Sequence, residues 1–171
     1  IGFKNAYHGS TYMSTSVGGF KSMTSYFGRH PECIDIEYNE IEQHIDDNTK
    51  AVFIETISWG NNLQPLDVAY YKRLRQLCDM HDVLLVVDDI AFCGGKAGSI
   101  LGYTKLEIQP DIFTLGKGVS GGYYPLAVVL CNQKVADVVK PQFLLHGFTY
   151  SFPMPGIIST LKYLDVLEEE Q

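Results

Sequence analysis

Val83-Leu84-Leu85-Val86-Val87-Asp88-Asp89-Ile90 and, farther on, Pro110-Asp111-Ile112-Phe113-Thr114-Leu115-Gly116-Lys117-Gly118 decide how this chain folds. The first stretch is apolar at successive positions and then ends on two acids. A strand apolar on both faces is covered on both sides, as in a parallel α/β sheet. The second stretch is a shorter apolar run that ends on a single lysine between glycines. Ligands of open α/β sheets bind beyond the carboxyl ends of the strands. Asp88 and Lys117 both fall at that end.

Working outward, Ala51-Val52-Phe53-Ile54-Glu55 is another short apolar run that ends on an acid. Glu55, Asp88 and Lys117 recur at intervals of roughly 30 residues, the size of a βαβ unit. Between the first two, Pro65 precedes a stretch with Val68, Tyr71, Leu74, Leu77 and Cys78 at helical spacing. Lys72, Arg73, Arg75 and Gln76 fall on its wet side, and Asp67 is its expected N-cap. The stretch from Asp88 to Lys117 is mostly loop, so the order of its flanking strands stays open. Residues 126–131 predict a further strand, central by its Val and Leu content. Residues 155–169 predict a helix with Ile158, Leu161, Leu164 and Leu167 on one face. The expected fold is α/β, with a mostly parallel central sheet and helices on both faces.

The chain of 171 residues suits one domain with a sizeable core. Its hydrophobic content is 46% and its charged content 19%, which is globular rather than disordered. A net charge of -7 argues against nucleic acid as a partner. No apolar run reaches the ~20 residues of a membrane helix, so no membrane partner is expected. Cys33, Cys78, Cys93 and Cys131 are scattered without CxxC spacing, which fits a reducing, cytoplasmic setting and suggests no zinc site. The histidines show no metal-ligand spacing. The chain begins Ile1-Gly2-Phe3 and stops inside a helical pattern over 161–171, so both ends read as cut and missing targeting signals mean little.

A carboxylate that ends an apolar strand is costly to bury without a cationic partner. Asp88 and Lys117, brought to the mouths of neighbouring strands, can hold and activate a carbonyl cofactor. Literal matches to other motifs are weaker. Gly116-Lys117-Gly118-Val119-Ser120-Gly121 fits GxGxxG, but a dinucleotide fingerprint opens a helix, and here a strand follows Gly122-Tyr123-Tyr124-Pro125. Gly118-Val119-Ser120-Gly121-Gly122 fits the hydrolase GxSxG, which also needs a helix. Asp137 and His146 would complete a Ser, Asp, His order around Ser120, and a serine hydrolase is kept as a distant alternative. Gly95-Lys96-Ala97 lacks the hydroxyl residue of a P-loop. Tyr7-His8-Gly9 could present an aromatic face to a flat ligand. His146-Gly147-Phe148-Thr149-Tyr150-Ser151 carries hydroxyls suited to a phosphate.

Taken in order, Tyr7-His8-Gly9, Glu55, Asp88-Asp89-Ile90, the 110–118 stretch and the 146–151 stretch resemble the class III aminotransferases. These are fold-type-I pyridoxal 5'-phosphate enzymes that include the ω-amino acid transaminases. The resemblance spans the whole chain and implies part of the cofactor-binding large domain, with the small domain and an upstream phosphate loop absent. It implies ping-pong transfer of an amino group from an amine or amino acid to a 2-oxo acid or aldehyde. Lys117 would form the Schiff base with the cofactor, and Asp88 would pair with the pyridine nitrogen. Tyr7 and Ile90 would flank the ring, and His8 and Gly9 would complete its pocket. Glu55 would lie toward the substrate. Thr149 would reach the phosphate of the partner subunit's cofactor, which implies a homodimer with shared sites.

The chain also departs from the family pattern. Asp89 stands where Glu is usual, Thr56 where Pro follows the glutamate, and Lys96 where Arg is common. The segments Ser58-Trp59-Gly60-Asn61-Asn62 and Phe152-Pro153-Met154-Pro155 are unlike the family. They keep open a protein of this fold with other pyridoxal phosphate chemistry or without transaminase activity.

Overall fold

The chain opens with a short strand, β1 (Gly2–Phe3), then helices α1 (Tyr12–Val17) and α2 (Lys21–Phe27), strand β2 (Asp35–Ile36) and a single turn, α3 (Ile41–His44). Strand β3 (Ala51–Glu55), helix α4 (Val68–Met80) and strand β4 (Leu84–Asp88) form a βαβ unit. Strands β5 (Ile112–Leu115) and β6 (Val128–Cys131) follow, then helices α5 (Gln133–Val139) and α6 (Met154–Glu169). This computed structural model describes residues 1–142 and 146–170, with only the backbone of Trp59; Gln171, the end of the expected helical pattern, lies outside them.

The main sheet has the order β3-β4-β5-β6. β3, β4 and β5 are parallel, and β6 runs antiparallel to β5. The open question of strand order is thereby answered, because β5 lies directly beside β4 although their connection is mostly loop. β1 and β2 pair in parallel. The Phe53 amide donates to the Ile1 carbonyl at 2.9 Å, so this small pair adjoins the outer edge of β3.

Side chains alternate across each strand. Val52, Ile54, Leu85 and Val87 enter the core with Tyr71 and Leu74 of α4. Asp67 caps α4, as expected, by accepting from the Ala69 amide at 3.0 Å. On the other side of the sheet, Phe53, Val86, Asp88 and Thr114 line a cavity of about 840 Å³.

Three expectations need correction. Arg75 is not on the wet side of its helix; it forms a largely buried pair with Asp111 at 2.7 Å. Asp111 also accepts from the Leu85 amide and from Asn132. Burial works against its ionisation, but these donors and the guanidinium hold its carboxyl below the usual range. β6 is an edge strand among the described residues, not a central one, and its Val129 is 70% exposed. Apolar content cannot separate a central strand from an edge whose outer side is apolar. On α6, the inward face is Gly156, Thr160, Tyr163 and Leu167, whereas Ile158 and Leu161 are exposed. Small residues let this helix approach closely, and of the four residues expected on one face only Leu164 and Leu167 are part-buried.

Candidate active site

Alternation at the end of β4 sends Asp88 and Asp89 to opposite sides of the sheet. Asp88 faces the cavity. Its Oδ1 accepts from the Ile90 amide at 3.1 Å and from the Thr114 hydroxyl at 3.2 Å. Its Oδ2 lies 2.9 Å from His8 Nδ1. An ionised carboxylate only accepts, so Nδ1 carries the shared hydrogen. The His8 ring is buried, 6.0 Å from the Phe53 ring, and its Nε2 has no partner among the described residues. The sheet register sets Glu55, Asp88 and Thr114 level across three strands. Asp88 is therefore fixed from three directions at the carboxyl edge.

Lys117 starts a 3-10 turn (Lys117–Ser120) just beyond β5. It is exposed and stands outside the cavity lining. Its φ is +43°, in the left-handed region that side chains with a Cβ disfavour. Ile90 connects this turn to the Asp88 end: a Cβ on Gly116 would lie 3.2 Å from Ile90 Cγ2. Thr114, which donates to Asp88, lies on the same strand that delivers Lys117.

The back of the sheet holds an element that the sequence reading missed. Asp89 is fully buried and accepts from the Thr56 hydroxyl and the Gly102 amide, both at 2.7 Å. Burial pushes its carboxyl up, and these donors oppose the shift. Two departures from the family pattern, Thr56 and Asp89, are thus direct partners. Their shared position at the ends of adjacent strands was the available signal.

The remaining predicted residues fall as follows. Tyr7 is 41% exposed, with its ring edge-on to Phe20 at 6.2 Å. Gly9 has a φ of +114° between His8 and α1. Glu55 is buried, accepts from Ser58 at 2.6 Å, and lies outside the cavity lining. Thr149 is exposed on a turn beside exposed Phe148, Tyr150 and Phe152. The structure joins His8, Asp88 and Ile90 with Thr114, which the sequence reading had not singled out. The hydrolase alternative does not assemble. Ser120 is buried and donates to the Tyr124 carbonyl at 2.6 Å, Asp137 accepts from Gln133, and the His146 ring packs on Phe148. No group of metal-binding side chains occurs among the described residues, and no helix among them is long and apolar enough to cross a membrane.

Comparisons with known proteins point the same way as this geometry. The chain is 36% identical to an acetylornithine/succinyldiaminopimelate aminotransferase of Buchnera aphidicola, over 99% of this chain and 45% of that protein. It is 34% identical to a succinylornithine transaminase of Salmonella paratyphi B, over 98% of this chain and 41% of that one. Among solved structures, an ornithine aminotransferase from Toxoplasma gondii matches with a TM-score of 0.83 at 32% identity, over 98% of this chain and 40% of that one. A PLP-bound amine transaminase from an uncultivated Pseudomonas species matches at 0.86 and 30% identity, over 99% and 45%. The chain therefore spans less than half the length of these relatives. The model of the family "Aminotransferase class-III" matches residues 1–171. With its acid and lysine at the carboxyl edge of a mostly parallel sheet, this chain belongs to the class III aminotransferases, a family of pyridoxal phosphate enzymes.

Proposed function

We propose that this chain is the cofactor-holding part of the large domain of a transaminase, which moves an amino group from an amine or amino acid to a 2-oxo acid or aldehyde. The observation that carries this reading is the Asp88 carboxylate. Three donors hold it at the sheet edge, level with the strand that delivers Lys117. An ionised carboxylate offers about four acceptor positions, so one remains for a ring N–H. That spare acceptor, the unpartnered buried His8 Nε2 and the exposed Lys117 amine fit pyridoxal phosphate.

Each residue has a distinct task. Asp88 would hold the proton on the ring nitrogen, and His8 and Thr114 keep Asp88 from turning away. Lys117 Nζ would be the amine that holds the cofactor when no substrate is present. When bound, pyridoxal phosphate supplies an electron-withdrawing ring that makes the carbon bearing the substrate's nitrogen acidic. Lys117 Nζ, the exposed amine at this edge, would serve as the base that takes and returns the proton at the substrate carbon. Ile90 and Tyr7 would flank the ring, with Gly9 beside them, and Glu55 would brace the substrate side through Ser58.

The reading includes a homodimer in which Thr149 reaches the partner's cofactor phosphate. The exposed aromatic cluster of Phe148, Tyr150 and Phe152 around it supports a covered surface there. It also includes a cytoplasmic setting, supported by four free thiols. The relatives' substrates make acetylornithine and ornithine the first donors to assay.

The test uses the full-length protein with pyridoxal phosphate, one of these donors and a 2-oxo acid. Parallel double-reciprocal lines, with the donor's amino group recovered on the acceptor, are the expected result. Donor consumed without amine on the acceptor would instead point to decarboxylase or racemase chemistry on the same fold.

A further inference from the structure

We propose that Tyr163 is a positioning residue for Lys117, acting through the two glycine segments that enclose the lysine turn; this rests on Lys117 being the cofactor lysine. A lysine at φ +43° does not hold that conformation unaided. Left-handed residues persist where the surroundings over-determine them, and such places are concentrated at functional sites.

The surroundings here are backbone pressed on backbone. A Cβ on Gly94, whose own φ is +67°, would stand 2.3 Å from the Gly118 carbonyl oxygen. A Cβ on Gly118 would stand 2.9 Å from the Cys93 carbonyl oxygen. Neither Gly94 nor Gly118 has room for a side chain at this joint, and the Cys93 thiol adds a bond across it, donating to the Gly116 carbonyl at 3.2 Å. The turn itself closes when the Gly121 amide donates to the Gly118 carbonyl at 3.0 Å.

Tyr163, on the inward face of α6, touches both sides of this joint. Its hydroxyl donates to the Gly94 carbonyl at 2.9 Å. Its ring covers Gly121, where a Cβ would meet Cδ2 at 2.9 Å. One side chain therefore pins the glycine loop and the closing residue of the turn together, with Lys117 held between them. Tyr163 acts only through the backbone that aims Nζ.

A double-mutant cycle on the full-length protein, without cofactor, tests this through thermal unfolding. Lys117→Gly removes the strain at the turn. If Tyr163 maintains that strain, the gain from Lys117→Gly is smaller in a Tyr163→Phe background, by about 1–2 °C. With cofactor added, covalent trapping at Lys117 by borohydride should need about tenfold more pyridoxal phosphate in Tyr163→Phe, a misplacement effect. An exposed variant on the same helix, Glu168→Gln, should match the parent. Additive thermal shifts, or non-additive shifts with trapping at the parent level, overturn the proposal. A parent protein that traps no cofactor at Lys117 would overturn the lysine assignment instead, and the thermal cycle would still report on the clamp.

Discussion

The two ends of the candidate site are built in opposite ways. Asp88 is sunk at a strand end, and its oxygens are engaged by a ring nitrogen, an amide and a hydroxyl from three separate segments. Lys117 is exposed, has no side-chain partner among those described, and sits on a strained turn clamped through its backbone. The contrast fits the role proposed for each group. A carboxylate that keeps one proton on one nitrogen works best without freedom. An amine that must bind, leave and carry a proton needs a free side chain on a fixed base.

Breaking the rigid end gives the largest effect. Asp88→Asn should still bind pyridoxal phosphate yet lose turnover by about 10²–10³-fold, as when a charge-stabilising group is removed. Steady-state kinetics and cofactor absorbance read the two properties separately, and turnover within a factor of a few of the parent would remove Asp88 from its role. Next comes His8→Phe, which keeps an aromatic ring near Phe53 but leaves Oδ2 unpaired. Turnover should fall by up to about 10²-fold through loss of orientation, with the cofactor's absorbance maximum shifted. An unchanged spectrum and rate would show that Asp88 is held without His8.

The smallest effect lies behind the sheet. Thr56→Val removes the donor to Asp89 and should cost about 1.5–3 kcal/mol in denaturant unfolding at pH 7. The sign of its pH dependence follows from the raised carboxyl of Asp89. A group raised in the folded state contributes stability that is present below its unfolded value and lost as pH rises through its folded value. Without Thr56 that value rises further, so the penalty should be largest where Asp89 is ionised and shrink as the pH falls through its raised value. A penalty independent of pH would mean that Thr56 matters only through its packing.

Much of this was legible in the sequence, for physical reasons. β3, β4 and α4 follow from period and from the Asp67 cap, because local hydrophobic spacing determines them. Asp88 and Lys117 could be read because strand ends and glycines mark them. The His8–Asp88 bond joins residues 80 apart, and no local pattern encodes such a pairing. The inward face of α6 was read only in part, through Leu167, because Gly156, Thr160 and Tyr163 pack by shape and hydrogen bonding rather than by hydrophobicity. Arg75 was misread because its partner, Asp111, arrives from another strand.

The central claim is that Lys117 is the amine that holds the cofactor, opposite a fixed Asp88. Its most direct measurement is peptide mapping of the full-length protein after loading with pyridoxal phosphate and reduction with borohydride. The account predicts one pyridoxyl label, on the peptide carrying Lys117, and none in Lys117→Ala. A label on Lys96 or another lysine, or a label that persists in Lys117→Ala, would contradict it.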